Sequence, residues 1–215
     1  MGFNAKATEP KKIPIMEIGT YQAVCYGVVD LGTIDGKYGP VTRAYIFWEF
    51  PNERVNFMRD GVETNGPRVN KKLYYDVNIH DKKPLGKDLI AWRGKLFTPA
   101  EQANFDLFNV IGANCMLSIV HDIKGDKIYA NVDRVSKLVK GLEPLKGELE
   151  IIKYSFADNG ANIPEHFYDW LVKEIKLSYE YRGIPVPDDS YQENPDDTSP
   201  DAPEGVDIDG EDIPF

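Results

Sequence analysis

Apolar and polar residues alternate along several stretches of the chain with the two-residue period of β-strands. This pattern predicts five strands, at residues 21–31, 41–50, 71–80, 115–121 and 127–135. Pro51 is expected to end the second strand, because proline cannot donate to a strand ladder. Residues 52–70 then form a long polar connection, and residues 123–126 form the turn between the last two strands.

Between the third and fourth predicted strands the apolar period becomes helical. Residues 84–92 predict a short helix. Thr98 begins a second helix that extends to about Val110, with Pro99 at its first position and Glu101 completing a capping box. Three strands, a helical insertion and two further strands is the element order of the OB-fold, a five-stranded Greek-key barrel.

Beyond the five strands, residues 149–156 predict one more strand and a helix begins near Ile163. Its apolar residues recur at roughly helical spacing and are expected to pack on the barrel; they are Phe167, Trp170, Leu171, Ile175 and Leu177. The predicted fold class is therefore mainly β (α+β): a five-stranded OB-fold Greek-key barrel with inserted short helices, a C-terminal helix and a disordered acidic tail.

Charge is distributed unevenly along the 215 residues, whose formal net charge is −10. Residues 188–215 hold eleven of the 35 acidic residues and none of the 25 Lys and Arg residues, so the rest of the chain is close to neutral. A segment so rich in Asp, Glu, Pro and Ser is expected to be disordered. We therefore predict a flexible N-terminal arm at 1–14, one domain at 15–184 and an acidic tail at 185–215.

The chemistry of the chain favours a binding protein over an enzyme. Walker-type, GxSxG and HExxH motifs are absent, and no cofactor is predicted. Cys25 and Cys115 are expected to be buried, reduced thiols, which together with the lack of an apolar leader suggests the cytoplasm. The longest apolar runs are too short to cross a bilayer, so no membrane partner is expected. His80 and His121 each precede an aspartate, which leaves a metal site as a minor alternative.

The outward side of the predicted strands interleaves aromatic rings with cations. Rings stack on the bases of a single strand and cations neutralise its phosphates, without reading sequence. The candidate DNA-binding residues on strands and loops are Lys37, Tyr38, Arg43, Tyr45, Phe47, Arg54, Arg59, Arg68, Lys72, Tyr74, Arg93, Lys95, Lys127 and Tyr129. The alternative is that these rings pack beneath the C-terminal helix.

The final residues combine acidic charge with an apolar tip. Such a tip fits an apolar pocket with a basic rim, so the tail is predicted to bind partner proteins. The residues assigned to this role are Asp209, Glu211, Asp212, Ile213, Pro214 and Phe215. The last four of them resemble, residue for residue, the C-terminal tail of bacterial single-stranded DNA-binding proteins, which implies docking of replication and recombination enzymes.

The body of the chain resembles a group of bacteriophage proteins thought to bind single-stranded DNA during replication. The resemblance lies in residues 19–21, in 92–95 with Phe97 and Thr98, in 105–107, in 111–112 and in the strand ending at His121. It implies sequence-independent binding of single-stranded DNA in phage replication or recombination, in the cytoplasm of a bacterial host. A protein-binding adaptor that mimics the host tail and a metal-dependent nuclease stay open as alternatives, as does a homo-oligomer.

Overall fold

A computed structural model describes residues 14–59, 62–71 and 74–187, with the side chain of Arg59 left out. The described part is mainly β, as the sequence predicts. One sheet contains its seven strands: β1 (Gly19–Gly36), β2 (Gly39–Arg59), β3 (Val62–Lys71), β4 (Tyr75–Asp76), β5 (Asn114–Lys124), β6 (Lys127–Lys137) and β7 (Ile152–Tyr154).

The main path of the sheet runs β3-β2-β1-β5-β6, and every neighbouring pair in it is antiparallel. Strand β1 serves both halves, because its beginning pairs with β5 and the rest pairs with β2. The pairing of β1 with β2 shifts register between Asp30 and Gly32, where β1 bends. Gly32 adopts a φ of +73° at this bend, which a residue with a side chain rarely does. At the ends of the path, Asn70 Nδ2 of β3 donates to Ala130 O of β6 at 2.9 Å, so the sheet curves into an open, barrel-like shape.

The concave side of this sheet holds the main core. Ile46, Trp48 and Phe50 point into it, as their alternation predicts, and are at most 1 % exposed. Helix α1 (Pro84–Arg93) covers the core with Leu85, Leu89 and Trp92. Helix α2 (Pro99–Asn104) begins with the predicted capping box of Thr98 and Glu101, and a 3₁₀ turn (Leu107–Val110) follows it.

The opposite side of the sheet is covered by residues 145–184, which we call the C-terminal cap. It contains β7, which pairs in parallel with β1, and three short helices, α3 (Phe156–Asn159), α4 (Asp169–Lys176) and α5 (Tyr179–Arg182). Phe167, Leu171 and Ile175 of the cap are buried against the sheet and form a second apolar cluster with β1 and β2. The helix predicted from Ile163 therefore begins later, at Asp169, but packs on the sheet as expected.

Buried polar groups fasten the cap to the strands. The carboxylate of Glu49, fully buried in β2, accepts hydrogen bonds of 3.0–3.4 Å from the backbone N–H groups of Glu148 and Leu149. The Asn114 side chain bonds both the N–H and the carbonyl of Leu145, at 2.8 and 2.9 Å. Because these polar groups have partners, the cap is part of the folded body rather than a loosely attached helix.

Two sequence predictions of local structure were wrong. Residues 52–70 are a β-hairpin rather than a polar connection, because β2 continues past Pro51 to Arg59 and returns as β3. Pro51 lies in the register gap between the Phe50–Arg68 and Arg54–Pro67 pairs, where the ladder does not need its missing N–H. Among the described residues of the strand predicted at 71–80, Lys71 ends β3 and only Tyr75 and Asp76 form a further strand, β4, paired with Ala44 and Arg43.

Candidate nucleic-acid interface

Three rings predicted to face outward for stacking are covered. Tyr45, Phe47 and Tyr74 are only 4 %, 4 % and 7 % exposed, so the prediction that they form an open binding face was wrong. Strand alternation placed Tyr45 and Phe47 on the side away from the main core. Alternation along a strand does not reveal that residues 145–184 fold back over that side.

What stays accessible is the line along which α4 meets the sheet, and we call this line the seam. Lys71, at the end of β3, holds its Nζ 4.2 Å from the centre of the Tyr45 ring and 5.0 Å from that of Trp170. Trp170 in turn stacks on Tyr168, with ring centres 6.1 Å apart and planes inclined by 14°. Lys71, Tyr168 and Trp170 are all half-buried, so one side of each is open to solvent.

A second cation lies over a ring nearby on the same side of the sheet. The guanidinium carbon of Arg43 lies 3.8 Å from the centre of the Tyr74 ring, and its Nε makes an ion pair with Asp76 at 3.2 Å. Since Tyr45 is two residues along β2 from Arg43, the two cation–ring pairs belong to one surface. Cations and rings therefore alternate from Arg43 through Lys71 to Trp170.

Burial changes the proton affinity of the seam. Desolvation lowers the pKa of Lys71 to about 8, partly opposed by the negative charge of Glu174 on α4. Desolvation also raises the pKa of Tyr45 above its ordinary range, so this phenol stays neutral. Desolvation thus disfavours the charged form of Lys71, which loses its proton more readily than an exposed lysine.

The β1–β2 hairpin contributes the predicted pair Lys37 and Tyr38 at its tip. Tyr38 is 41 % exposed, with Lys37 Nζ 5.3 Å from the centre of its ring. Lys127 and half-buried Tyr129 lie on the β5–β6 hairpin, at its tip and beside it. Lys95 is exposed after α1. All five residues are accessible. Lys37, Tyr38 and Lys95 lie in loops that were expected to border a binding groove, and Lys127 and Tyr129 lie on the strand that was predicted to carry them.

Three predicted loop cations have structural contacts instead. Arg54 binds Glu148 of the cap at 2.7 Å, Arg68 donates to the carbonyl of Pro14, and Arg93 bonds Glu101. Each guanidinium joins two segments of the fold, and a contribution of these three cations to a binding groove stays a prediction. Lys72, the side chain of Arg59 and the tail residues from Asp209 to Phe215 lie outside the described residues.

Sequence reasoning missed Lys71, Tyr168 and Trp170 as members of one surface. Trp170 was assigned to the packing face of a helix, and Lys71 was read as the first residue of a strand. The only sequence signal was Tyr168-Asp169-Trp170, two rings spaced across a single residue. The contact between Lys71 and Trp170 joins residues about 100 positions apart in the sequence. A local sequence pattern does not encode such a contact.

Neither a metal centre nor a membrane span is evident in the described part of the chain. Within residues 14–59, 62–71 and 74–187, no group of three or more His, Cys, Asp or Glu side chains is arranged to hold an ion. His80 contacts Asp81 at 2.9 Å, and His121 bonds the carbonyl of Met16. None of the helices in these ranges is long and apolar enough to cross a bilayer.

The chain matches no protein-family model and no curated protein.

Proposed function

We propose that this protein binds single-stranded DNA without sequence preference, through the seam and the neighbouring hairpin tips, and recruits partner proteins through its acidic C-terminus. The observation that carries the proposal is the seam, where half-buried Lys71 lies over the rings of Tyr45 and Trp170 and Trp170 stacks on Tyr168. Arg43 lies over Tyr74 on the same side of the sheet. Stacking on aromatic rings contributes about 1–3 kcal/mol per base, and cations neutralise the phosphates between them.

The sheet topology supports an OB-type barrel as the scaffold of this function. On the main path of the sheet, β1, β2 and β3 precede the helical insertion and β5 and β6 follow it, while the short strands β4 and β7 pair with β2 and β1 off this path. Strand β1 pairs with both β2 and β5. Asn70 and Ala130 bring the third strand against the last, which is how a Greek-key barrel of this kind closes. OB barrels bind oligonucleotides on strands two and three and on the flanking loops, and that is the side on which the seam lies.

The C-terminal cap determines what kind of binding is expected. It covers the inner part of this face, so a nucleic acid reaches ring edges and the open sides of Trp170 and Tyr168 rather than a broad aromatic platform. The contacts that form the seam are cation–ring and ring–ring contacts, which do not distinguish one base edge from another. Binding is therefore expected to be modest in affinity, tolerant of sequence and sensitive to salt.

Tryptophan fluorescence provides a direct test, because only one of the three tryptophans is well placed to report on the seam. Trp48 and Trp92 are 0 % and 7 % exposed, whereas Trp170 is half-buried. Titration with oligo-dT at low salt should quench the emission, and Trp170→Phe should remove most of the quenching while labelled oligo-dT still binds by anisotropy. If labelled oligo-dT fails to bind at tens of micromolar protein, the proposed function is wrong.

Salt dependence identifies the cations involved. Each phosphate contact on a single strand contributes about 0.7 to the slope of log K against log salt. Lys71→Met should reduce that slope by about 0.7, and Lys82→Met, which removes an exposed lysine preceding α1, should leave it unchanged. Equal slopes for the two variants would place the binding surface elsewhere on the body.

The burial of Tyr45, Phe47 and Tyr74 favours a second candidate, a protein-binding adaptor whose tail imitates that of a host single-stranded DNA-binding protein. In that case the body ignores DNA and only the C-terminal tip has a ligand. The oligo-dT titration separates the two functions, since an adaptor gives no DNA binding while deletion of Phe215 still abolishes capture of replication enzymes.

A further inference from the structure

The five residues before β1, Pro14 to Ile18, lie across the place where β3 approaches β5 and β6, and we call them the strap. Three side chains from three strands donate to their backbone carbonyls. Arg68 of β3 bonds Pro14 O at 2.5 Å, the Nε2–H of His121 on β5 bonds Met16 O at 2.8 Å, and the Tyr21 hydroxyl of β1 bonds Glu17 O at 3.0 Å. The strap is held as an extended peptide is held in a groove.

One side chain of the strap provides the anchor. Met16 is 5 % exposed and belongs to the main core cluster, whereas its neighbours Ile15 and Ile18 are 47 % and 65 % exposed. Hydrogen bonds to backbone carbonyls fit any sequence, so the buried methionine is what makes the groove selective for this segment. Ile15 and Ile18 are mostly outside the core, so Met16 makes the larger apolar contribution to the attachment.

The connection between the strap and the barrel allows it to leave without disturbing the sheet. Pairing of β1 with β5 begins at Gly19, opposite Ile119, so the strap precedes the strand ladder. The chain bends at Ile18, next to a glycine. Release of the strap therefore breaks three side-chain hydrogen bonds and withdraws Met16, while the β1–β5 ladder stays intact.

We propose that the strap exchanges between copies of this protein, so that residues 14–18 of one copy occupy the groove of a second copy with Met16 as the anchor. The occupant is identical in sequence to the native one, so every contact is conserved and only local concentration decides between the closed and exchanged forms. A short connection gives millimolar effective concentration within one copy, which favours the closed form in dilute solution.

Copies bound side by side on one DNA strand are also held at a millimolar local concentration. Under that condition the exchanged form competes with the closed form. This consequence rests on the proposed DNA binding, whereas the exchange itself does not. Exchange along a coated strand would link neighbouring copies and make their binding cooperative.

Site-specific cross-linking tests the exchange in the full-length chain. Cys25 and Cys115 are buried, and burial raises the pKa of the Cys25 thiol to about 12, so a maleimide reacts selectively with an introduced cysteine. One population carries Ile15→Cys on the strap and the other carries Ile123→Cys, an exposed position two residues from His121 on the same face of β5. A short bis-maleimide should join the two populations into a covalent dimer, and the yield should rise with protein concentration and with the number of copies per oligo-dT strand.

Two matched variants show whether the dimer depends on the anchor. Met16→Ala in the strap population should lower the dimer yield by at least about tenfold, because truncating the buried methionine removes the packing that anchors the strap. Ile18→Ala should leave the yield unchanged. The double variant with Ile15→Cys and Ile123→Cys in one chain shows that the spacer reaches across the groove.

The proposal is overturned if the double variant cross-links within the chain but the mixed populations give no dimer at any concentration, or if Met16→Ala leaves the dimer yield intact. Anisotropy with a labelled oligo-dT that holds one copy measures DNA binding independently. If that DNA binding is absent, the proposed function is wrong. The dimer yield measured at increasing protein concentration without DNA still shows whether the strap exchanges.

Discussion

The ammonium group of Lys71 lies 4.2 Å from the centre of the Tyr45 ring, where the end of β3 meets the middle of β2 beneath the C-terminal cap. The ring face attracts the cation, but the surrounding desolvation lowers the pKa of the amine to about 8. Lys71 is therefore charged at neutral pH and loses its proton within a range that is easily reached in solution.

The first prediction concerns the pH dependence of DNA binding. Affinity for oligo-dT should fall as the pH rises through about 8, because neutral Lys71 no longer neutralises a phosphate. Anisotropy titrations between pH 7 and pH 9.5 measure the effect. Lys71→Met should show a flat profile over this range, and a wild-type profile equally flat would remove Lys71 from the interface.

The second prediction concerns the free energy of unfolding, which should rise with pH, whereas the affinity for DNA should fall. The folded-state pKa of Lys71 lies below the value of 10.5 expected when the chain unfolds, so the unfolded chain holds more protons between about pH 8 and 10.5. The contribution of Lys71 to the free energy of unfolding should therefore rise with pH, by on the order of 1–3 kcal/mol. Urea denaturation at pH 7.5 and pH 10 should show this rise in the wild type relative to Lys71→Met.

A third prediction addresses the attachment of the cap by Glu49. Glu49→Gln should lower the free energy of unfolding by about 1–3 kcal/mol, because the amide nitrogen cannot accept from the N–H groups of Glu148 and Leu149. Gly147→Ala should have a similar effect, since an added Cβ would lie 2.6 Å from Glu49 Oε1. Lys146→Ala, an exposed neighbour, serves as the control, and equal denaturation midpoints for all three variants would contradict the role of Glu49.

The two cysteines lead to a fourth prediction. Both are at most 1 % exposed, and burial raises the pKa of each thiol. Ellman's reagent should react slowly with the native protein and should release two equivalents of thiol after denaturation. A fast-reacting thiol in the native state would show that the barrel opens around Cys25 or Cys115.

A fifth prediction uses the acidic tail, whose eleven acids carry no compensating base. A tethered polyanion competes with DNA for cations on the body, so removal of residues 188–215 should increase affinity for oligo-dT, most strongly at low salt. Binding isotherms at two salt concentrations compare the truncated and full-length chains. Identical affinities would show that the tail does not reach the binding surface.

Much of the sheet was predicted correctly from the local sequence pattern. The predictions that were wrong share one cause, which is that they depend on contacts between distant segments. The alternation of Ile46, Trp48 and Phe50 with Tyr45 and Phe47 assigned both faces of β2 correctly. It did not show that both faces are buried, because the second face is covered by residues about 120 positions away. The pattern in residues 52–70 was too polar to suggest strands, yet pairing within the hairpin satisfies their backbone groups.

The sequence alone determined the β-rich class, the helical insertion with its capping box, the buried state of both cysteines and the separation of acidic charge into the last 28 residues. These properties depend on residue type and on neighbours a few positions apart. The seam of Lys71 with Trp170, the attachment of Glu49 to the cap and the groove around Met16 were decided only by the tertiary structure. Each joins segments between 50 and about 100 residues apart, and such contacts exist only once the chain has folded back on itself.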